Sequence, residues 1–212
     1  MRSIVRSNES ATVPATTAAT LAARMASLDV PDLPNAVAVA LDPQTTAVLV
    51  LDLSDVSIGQ VPAAKDSIPA VRRLLDRARE HGARVIFSLG RAPQEVYPDL
   101  GRRDDEPIVK SSADKFFQTD LEHRLQGVTH LVVAGTAANG AVVYTSFAAC
   151  ARGLGVVVPE DGISSRQPIA TWVARWQLLN QPGFANAQNT PLQAKAVTLS
   201  RTDLISFVMG SS

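Results

Sequence analysis

The run Thr46-Ala-Val-Leu-Val-Leu-Asp52 is apolar or β-branched up to a terminal acid, with no polar alternation. Such a run suits a strand covered on both faces, the usual condition of a parallel sheet. The next segments keep the same rhythm. Residues 66–82, DSIPAVRRLLDRAREHG, set Ile68, Val71, Leu74, Leu75 and Ala78 at helical spacing, and Gly82 is placed to stop the helix. Further strands are predicted at 83–89, 129–135, 155–161 and 194–200, with helices over 119–126, 139–153 and 168–180 and a closing segment 201–207. Strand and helix alternating across short connections imply right-handed crossovers and helices on both faces of a mainly parallel sheet. The expected fold is α/β, a three-layer αβα sandwich. Residues 90–113, with Pro93, Pro98, Pro107 and GRRDDE, read as an irregular loop able to fold over the sheet edge.

Composition narrows the function. The 212 residues, 46% of them apolar, suffice for one sizeable core. We read residues 1–35 as a partly ordered arm, with a helix around TTAATLAARMASL, and 36–212 as a single domain. Lysine plus arginine equals aspartate plus glutamate at 20 each, so no net field recruits nucleic acid or an anionic membrane. The single cysteine, Cys150, excludes an internal disulfide and fits a reducing compartment, so a soluble cytoplasmic protein is expected. The first residues carry no continuous apolar stretch of the signal-peptide kind and read as a non-secretory extension, with a presequence-like leader as the alternative.

In sheets of this class ligands sit beyond the carboxyl ends of the strands, at the point where strand order reverses. Asp52 ends the first strand and is either a loop anchor or a site group. Lys110 follows the short apolar approach EPIV; it reads as a solvated lysine unless it meets Asp52, whose carboxylate its ammonium would hold ionised. The turn Gly135–Ala141 joins an apolar strand to a helix, and its backbone N–H groups with the helix dipole would favour an oxyanion. His81, His123 and His130 show no metal-binding spacing, so no metal is expected. No glycine-rich nucleotide motif is present, and no cofactor is expected. Cys150, nine residues beyond Ala141, falls on roughly the opposite helix face and reads as a core thiol. Trp172 and Trp176, at i and i+4, read as packing their helix onto the sheet. Arg91, Arg102 and Arg103 in the 90–113 loop would suit an anionic substrate, although a solvated surface is the plainer reading.

Taken together, TAVLVLDLSD, VKSSADKFFQTDLEHRL, LVVAGTAANGAVVYT and ARGLGVVVPEDGISS resemble four segments of the isochorismatase-like, or cysteine-hydrolase, superfamily, in the right order over about residues 45–165. The resemblance implies a small-molecule hydrolase, commonly a homo-oligomer. It implies Asp52 as catalytic acid/base and Lys110 as its lysine, with Phe116 and Thr119 in register. By the same likeness Ala137, Ala138, Asn139 and Gly140 supply the oxyanion-binding backbone after a non-proline cis peptide near Ala137–Ala138, and Phe116, Phe117 and Arg91 are substrate-binding candidates. The departure lies at Ala141, where the family places its nucleophilic cysteine: a methyl group cannot attack a carbonyl. Ser54 also stands where one branch of the family has a metal-binding histidine. Three readings stay open: turnover without a nucleophile, as in true isochorismatases; a Cys→Ala variant made to trap substrate; or a natural member that binds a ligand without turnover or uses an unrecognised mechanism. A non-catalytic binding or assembly protein is the competing class.

Overall fold

Residues 46–51 are all buried, and their burial on both faces sets the architecture. The computed structural model describes residue 23 and residues 30–209, so the arm helix expected around TTAATLAARMASL lies almost entirely outside the described residues. Residues Leu33–Ser212 form one compact unit. Its strands are β1 Val39–Leu41, β2 Thr46–Leu51, β3 Arg84–Leu89, β4 Ile108–Lys110, β5 His130–Thr136, β6 Gly155–Pro159, β7 Ile163–Ser164, β8 Val197–Ser200 and β9 Ile205–Phe207. Its helices are α1 Asp55–Gln60, α2 Pro62–Glu80, α3 Leu121–Arg124, α4 Val143–Ala151 and α5 Pro168–Asn180.

The main sheet runs β4-β3-β2-β5-β6-β8, with β7 continuing beside the end of β5, and every pairing in it is parallel. β1 and β9 form a separate parallel pair. Helices α3, α4 and α5 bury Leu121, Val143, Ala149, Cys150, Ala174 and Leu178 against Leu49, Leu51, Val133 and Val158. On the other face, α2 brings Ile68, Val71, Leu74, Leu75 and Ala78 against Val48, Val50, Phe87 and Val132, together with β1 and β9. The five apolar positions read at helical spacing are all buried. The expected three-layer parallel α/β fold is therefore what forms.

Two expectations change. The 90–113 loop contains edge strand β4, paired to β3 through Phe87↔Ile108, Ser88↔Val109 and Leu89↔Lys110. Its remainder is tied down at both ends: Tyr97 N–H donates to Leu53 O, and the buried Arg79–Glu106 pair (2.7 Å) holds residues 101–107 on α2. The tryptophans do not seal α5 onto the sheet. Trp176 is 41% exposed and Trp172 half-buried; Ala174, Leu178 and Leu179 make the contact. Small and γ-branched residues let the helix approach closely, which the wide indoles would prevent.

Candidate functional site

The strand order places the site. From β2 the chain steps outward to β3 and β4, then returns across the sheet to β5 on the other side of β2. The ends of β2 and β5 therefore flank the switch point, and Asp52 and the Gly135–Ala141 turn lie at those two ends.

Asp52 takes a left-handed backbone, φ 51°, and its N–H donates to Ser88 O at 2.8 Å. Aspartate tolerates this region better than most residues, at a cost of order 1 kcal/mol or more. The reversal shows in the side chains: Leu49 and Leu51 lie in the α4 layer, whereas Leu53 joins the α2 layer. Beyond it, buried Ser54 caps α1, accepting from Ser57 N–H (3.0 Å) and donating to Gln94 Oε1 (2.7 Å), so the 90–113 loop is stitched to the Asp52 turn.

The ammonium that meets Asp52 belongs to Lys115, not to Lys110. Lys115 Nζ donates to both carboxylate oxygens, at 2.9 and 2.7 Å; its side chain is 1% exposed and that of Asp52 21%. Lys110 is exposed at the end of β4, two strands from β2, roughly 9–10 Å at normal strand spacing. Alternation along the edge strand buries Val109 and turns Lys110 to the opposite side. The return crossover then delivers Lys115 to the switch point. Its segment is built by turn-forming side chains: Ser111 Oγ donates to Asp114 O (2.8 Å), Phe116 N–H to Asp114 Oδ1 (2.9 Å), and Thr119 Oγ1 to Lys115 O (2.6 Å). Thr145 on α4, fully buried, accepts from Lys115 N–H and donates to Ala113 O, both at 3.3 Å. Burial raises the Asp52 carboxyl above the ordinary carboxylate range, and the Lys115 charge and hydrogen bonds offset part of that rise.

The second half is the β5 turn. Gly135, φ 132°, lies opposite Leu51; a Cβ there would fall 2.0 Å from Leu51 O, so only glycine fits. The cis peptide joins Thr136 to Ala137, one residue before the expected bond. Residues Ala138–Val142 form a wide helical turn, broken at Gly140 (φ −124°, ψ −105°), ahead of α4. Its amides are partly committed: Gly140 N–H donates to Ala137 O (2.9 Å), and Asn139 N–H to Ser165 Oγ (3.4 Å). Ser165 returns a bond to Asn139 Oδ1 at 2.9 Å, and Thr136 Oγ1 donates to Ser164 O at 3.1 Å, so β7 and Ser165 brace the turn. Ala141 is 6% exposed within the α4-side core.

The remaining candidates are scattered. Phe116 is buried, with the Arg152 guanidinium 4.3 Å above its ring, and is a core residue. Phe117 and Arg91 are exposed; Arg91 reaches Gln118 Oε1 at 3.4 Å. Cys150 is buried and its thiol is pushed up to about 12 by burial, so it offers no thiolate at neutral pH. Among the described residues, no three His, Cys, Asp or Glu side chains cluster as metal ligands would.

A model of the isochorismatase domain matches residues 46–190. Similar solved structures include a MAR1 ribonuclease from Caenorhabditis elegans, 23% identical over 78% of this chain and 81% of that one, with a TM-score of 0.66. A cysteine hydrolase from Pseudomonas syringae pv. phaseolicola is 21% identical over 80% and 94% of the two chains, TM-score 0.65. A nicotinamidase from Bacillus subtilis is 18% identical over 68% and 99%, TM-score 0.60. At these identities the likeness speaks for the fold. No curated protein sequence matches the chain significantly.

Proposed function

We propose that this chain, which belongs to the isochorismatase family of hydrolases, hydrolyses a small amide, ester or enol ether through Asp52 and Lys115 without a covalent intermediate. The observation that carries this is the Asp52–Lys115 pair at the switch point, with a partly exposed carboxylate on a buried ammonium. The Asp52 carboxylate takes a proton from the attacking water, which supplies the oxygen, and passes that proton to the leaving group as its bond breaks. Burial, by raising its pKa, makes it the better base. The developing oxyanion is held by amides of the Ala137–Ala141 turn, Ala138 and Ala141 foremost, since those of Asn139 and Gly140 have other partners. Lys115 takes the part that the family resemblance gives to Lys110.

A binding-only member is the second reading, favoured by the Ala141 methyl and by Cys150, whose buried thiol cannot substitute for a nucleophile. The two are separated by assaying a panel of amides, esters and enol ethers with the native chain, Asp52→Asn and Ala141→Cys. Native activity lost by a factor of about 100 or more in Asp52→Asn supports the hydrolase. Turnover appearing only in Ala141→Cys supports binding without turnover. Residues 1–35 would be an arm on a cytoplasmic homo-oligomer that takes a small-molecule substrate and no nucleic acid; the exposed stripe Ile169, Val173 and Trp176 on α5 supports self-association. Among the described residues no helix is long and apolar enough to cross a membrane.

A further inference from the structure

Helices α2 and α5 both begin at one cleft of about 510 Å³, which Pro62 and Ala63 line from the first and Pro168 from the second. Each has proline in its first turn, and neither N-cap, Val61 or Gln167, contributes a side-chain cap. Two positive helix ends are thus directed at the same space without a side-chain cap. Ala64 N–H donates to Val61 O at 2.8 Å and Ala170 N–H to Gln167 O at 3.0 Å, and the prolines carry no N–H. Ala63 is therefore the cleft-lining first-turn amide left over. Ser164, Arg166, Trp172 and Arg175 also line it. Ser164 is 5% exposed, and its Oγ has no hydrogen-bond partner among the described residues; Arg175 Nε likewise has none. A buried hydroxyl beside two helix ends that lack side-chain caps is a donor awaiting an acceptor.

The charges fix the sign and the count. Glu160 pairs with Arg175 and neutralises it. Asp161 is held by Thr202, whose N–H and Oγ1 both donate to it at 2.7 Å. Arg166 is exposed and forms no ion pair among the described residues, so it is the one unpaired cation lining the cleft; Asp161, still anionic, does not line it. The half-buried Trp172 and the two prolines give the cleft flat apolar walls.

We propose that this cleft binds a small oxyanion, specifically the carboxylate of a flat apolar molecule. Arg166, the Ser164 hydroxyl and the Ala63 amide take the carboxylate, with the two helix ends adding their positive field, and Trp172 stacks against the body. The site goes beyond the hydrolase reading and does not require turnover. Ser165, hydrogen-bonded to Asn139, links it to the β5 turn, so its occupant lies beside that half of the switch point and not against the Asp52–Lys115 pair.

The test titrates the full chain with benzoate, neutral benzamide and inorganic phosphate, following heat and tryptophan fluorescence. Benzoate is expected to bind saturably at millimolar concentrations or below, about tenfold tighter than benzamide, and to weaken about tenfold in Arg166→Gln and several-fold in Ser164→Ala. Trp172→Phe should abolish the fluorescence response, leaving Trp176 as an internal control. Asp52→Asn should bind benzoate as the native chain does, which separates this site from the catalytic reading. Equal affinity for benzoate and benzamide would overturn the proposal, as would benzoate binding unchanged in both Arg166→Gln and Ser164→Ala. Saturable phosphate binding with no benzoate binding would overturn the carboxylate assignment.

Discussion

The ends of β2 and β5 meet at one switch point but are built from different materials. At β2 the chemistry lies in side chains, a carboxylate and an ammonium at 2.7–2.9 Å. At β5 it lies in the main chain: a close approach that only Gly135 permits, a turn of amides, and the buried methyl of Ala141. One strand end therefore presents charge, while the other presents main-chain geometry. The geometry at β5 is also structural. Gly135 permits the close approach of β5 to β2, and Ala141 fills core volume at the start of α4.

The largest effect expected from disturbing this comparison is at the frame. Gly135→Ala would force a Cβ to 2.0 Å from the Leu51 carbonyl at a φ of 132°, and both strands are central, so neither can yield cheaply. A loss of at least about 3 kcal/mol is expected, measured by denaturant unfolding. A loss below about 1 kcal/mol would mean that the two strand ends are not held at this distance.

The same contrast explains what could be read in the sequence. Strands β2, β3, β5 and β6 are mostly apolar without polar alternation, and the α2 stripe follows helical spacing, so burial wrote itself into the residue order. Asp52 and the Gly135–Ala141 turn were legible because they terminate such runs. Lys115 was not. It follows a loop made by Ser111, Asp114 and Thr119, where no period carries orientation forward, and a fully buried lysine runs against the usual preference. Lys110, one step beyond a short apolar run, drew the assignment that topology gives to the residue five positions later. The dense Ser/Asp/Thr turn chemistry of 111–119 was the available sign that this segment folds inward. Ser165 and Thr145 were invisible for a related reason: they act through contacts 26 to 32 residues distant in sequence.

The next effect tests the ion pair. Lys115→Met leaves the Asp52 carboxylate on an apolar floor, and about 2–3 kcal/mol should be lost at neutral pH, reduced from a fully buried pair because Asp52 remains 21% exposed. The pH dependence comes from the sign of the shift. A carboxyl raised above its unfolded value binds its proton more readily in the fold, so stability falls as pH rises from the ordinary carboxylate value through the folded one. Removing the ammonium, which lowers that pKa, extends the window upward. The deficit of Lys115→Met should therefore shrink on acidification, as Asp52 becomes neutral in both states. Unfolding curves across pH, with carboxyl 13C shifts of Asp52, measure it. A deficit that does not change with pH would assign the role of Lys115 to packing alone.

The smallest effect asks whether the two halves act as one. Ser165→Ala removes the hydroxyl that accepts from Asn139 N–H and donates to Asn139 Oδ1. Asn139 is exposed, so water replaces part of what is lost, and about 0.5–1 kcal/mol is expected. The informative quantity is the cycle with Lys115→Met. The ion pair is held by α4 and the 111–119 loop, and the Asn139 brace by the segment after β7, with no partner in common. Coupling below about 0.5 kcal/mol should result, together with an unaltered Asp52 titration in Ser165→Ala. A coupling well above that, or a displaced titration, would show that the turn senses the charge state of Asp52 through the backbone between them. The β5 turn would then be an electrostatic partner of the ion pair as well as a structural frame beside it.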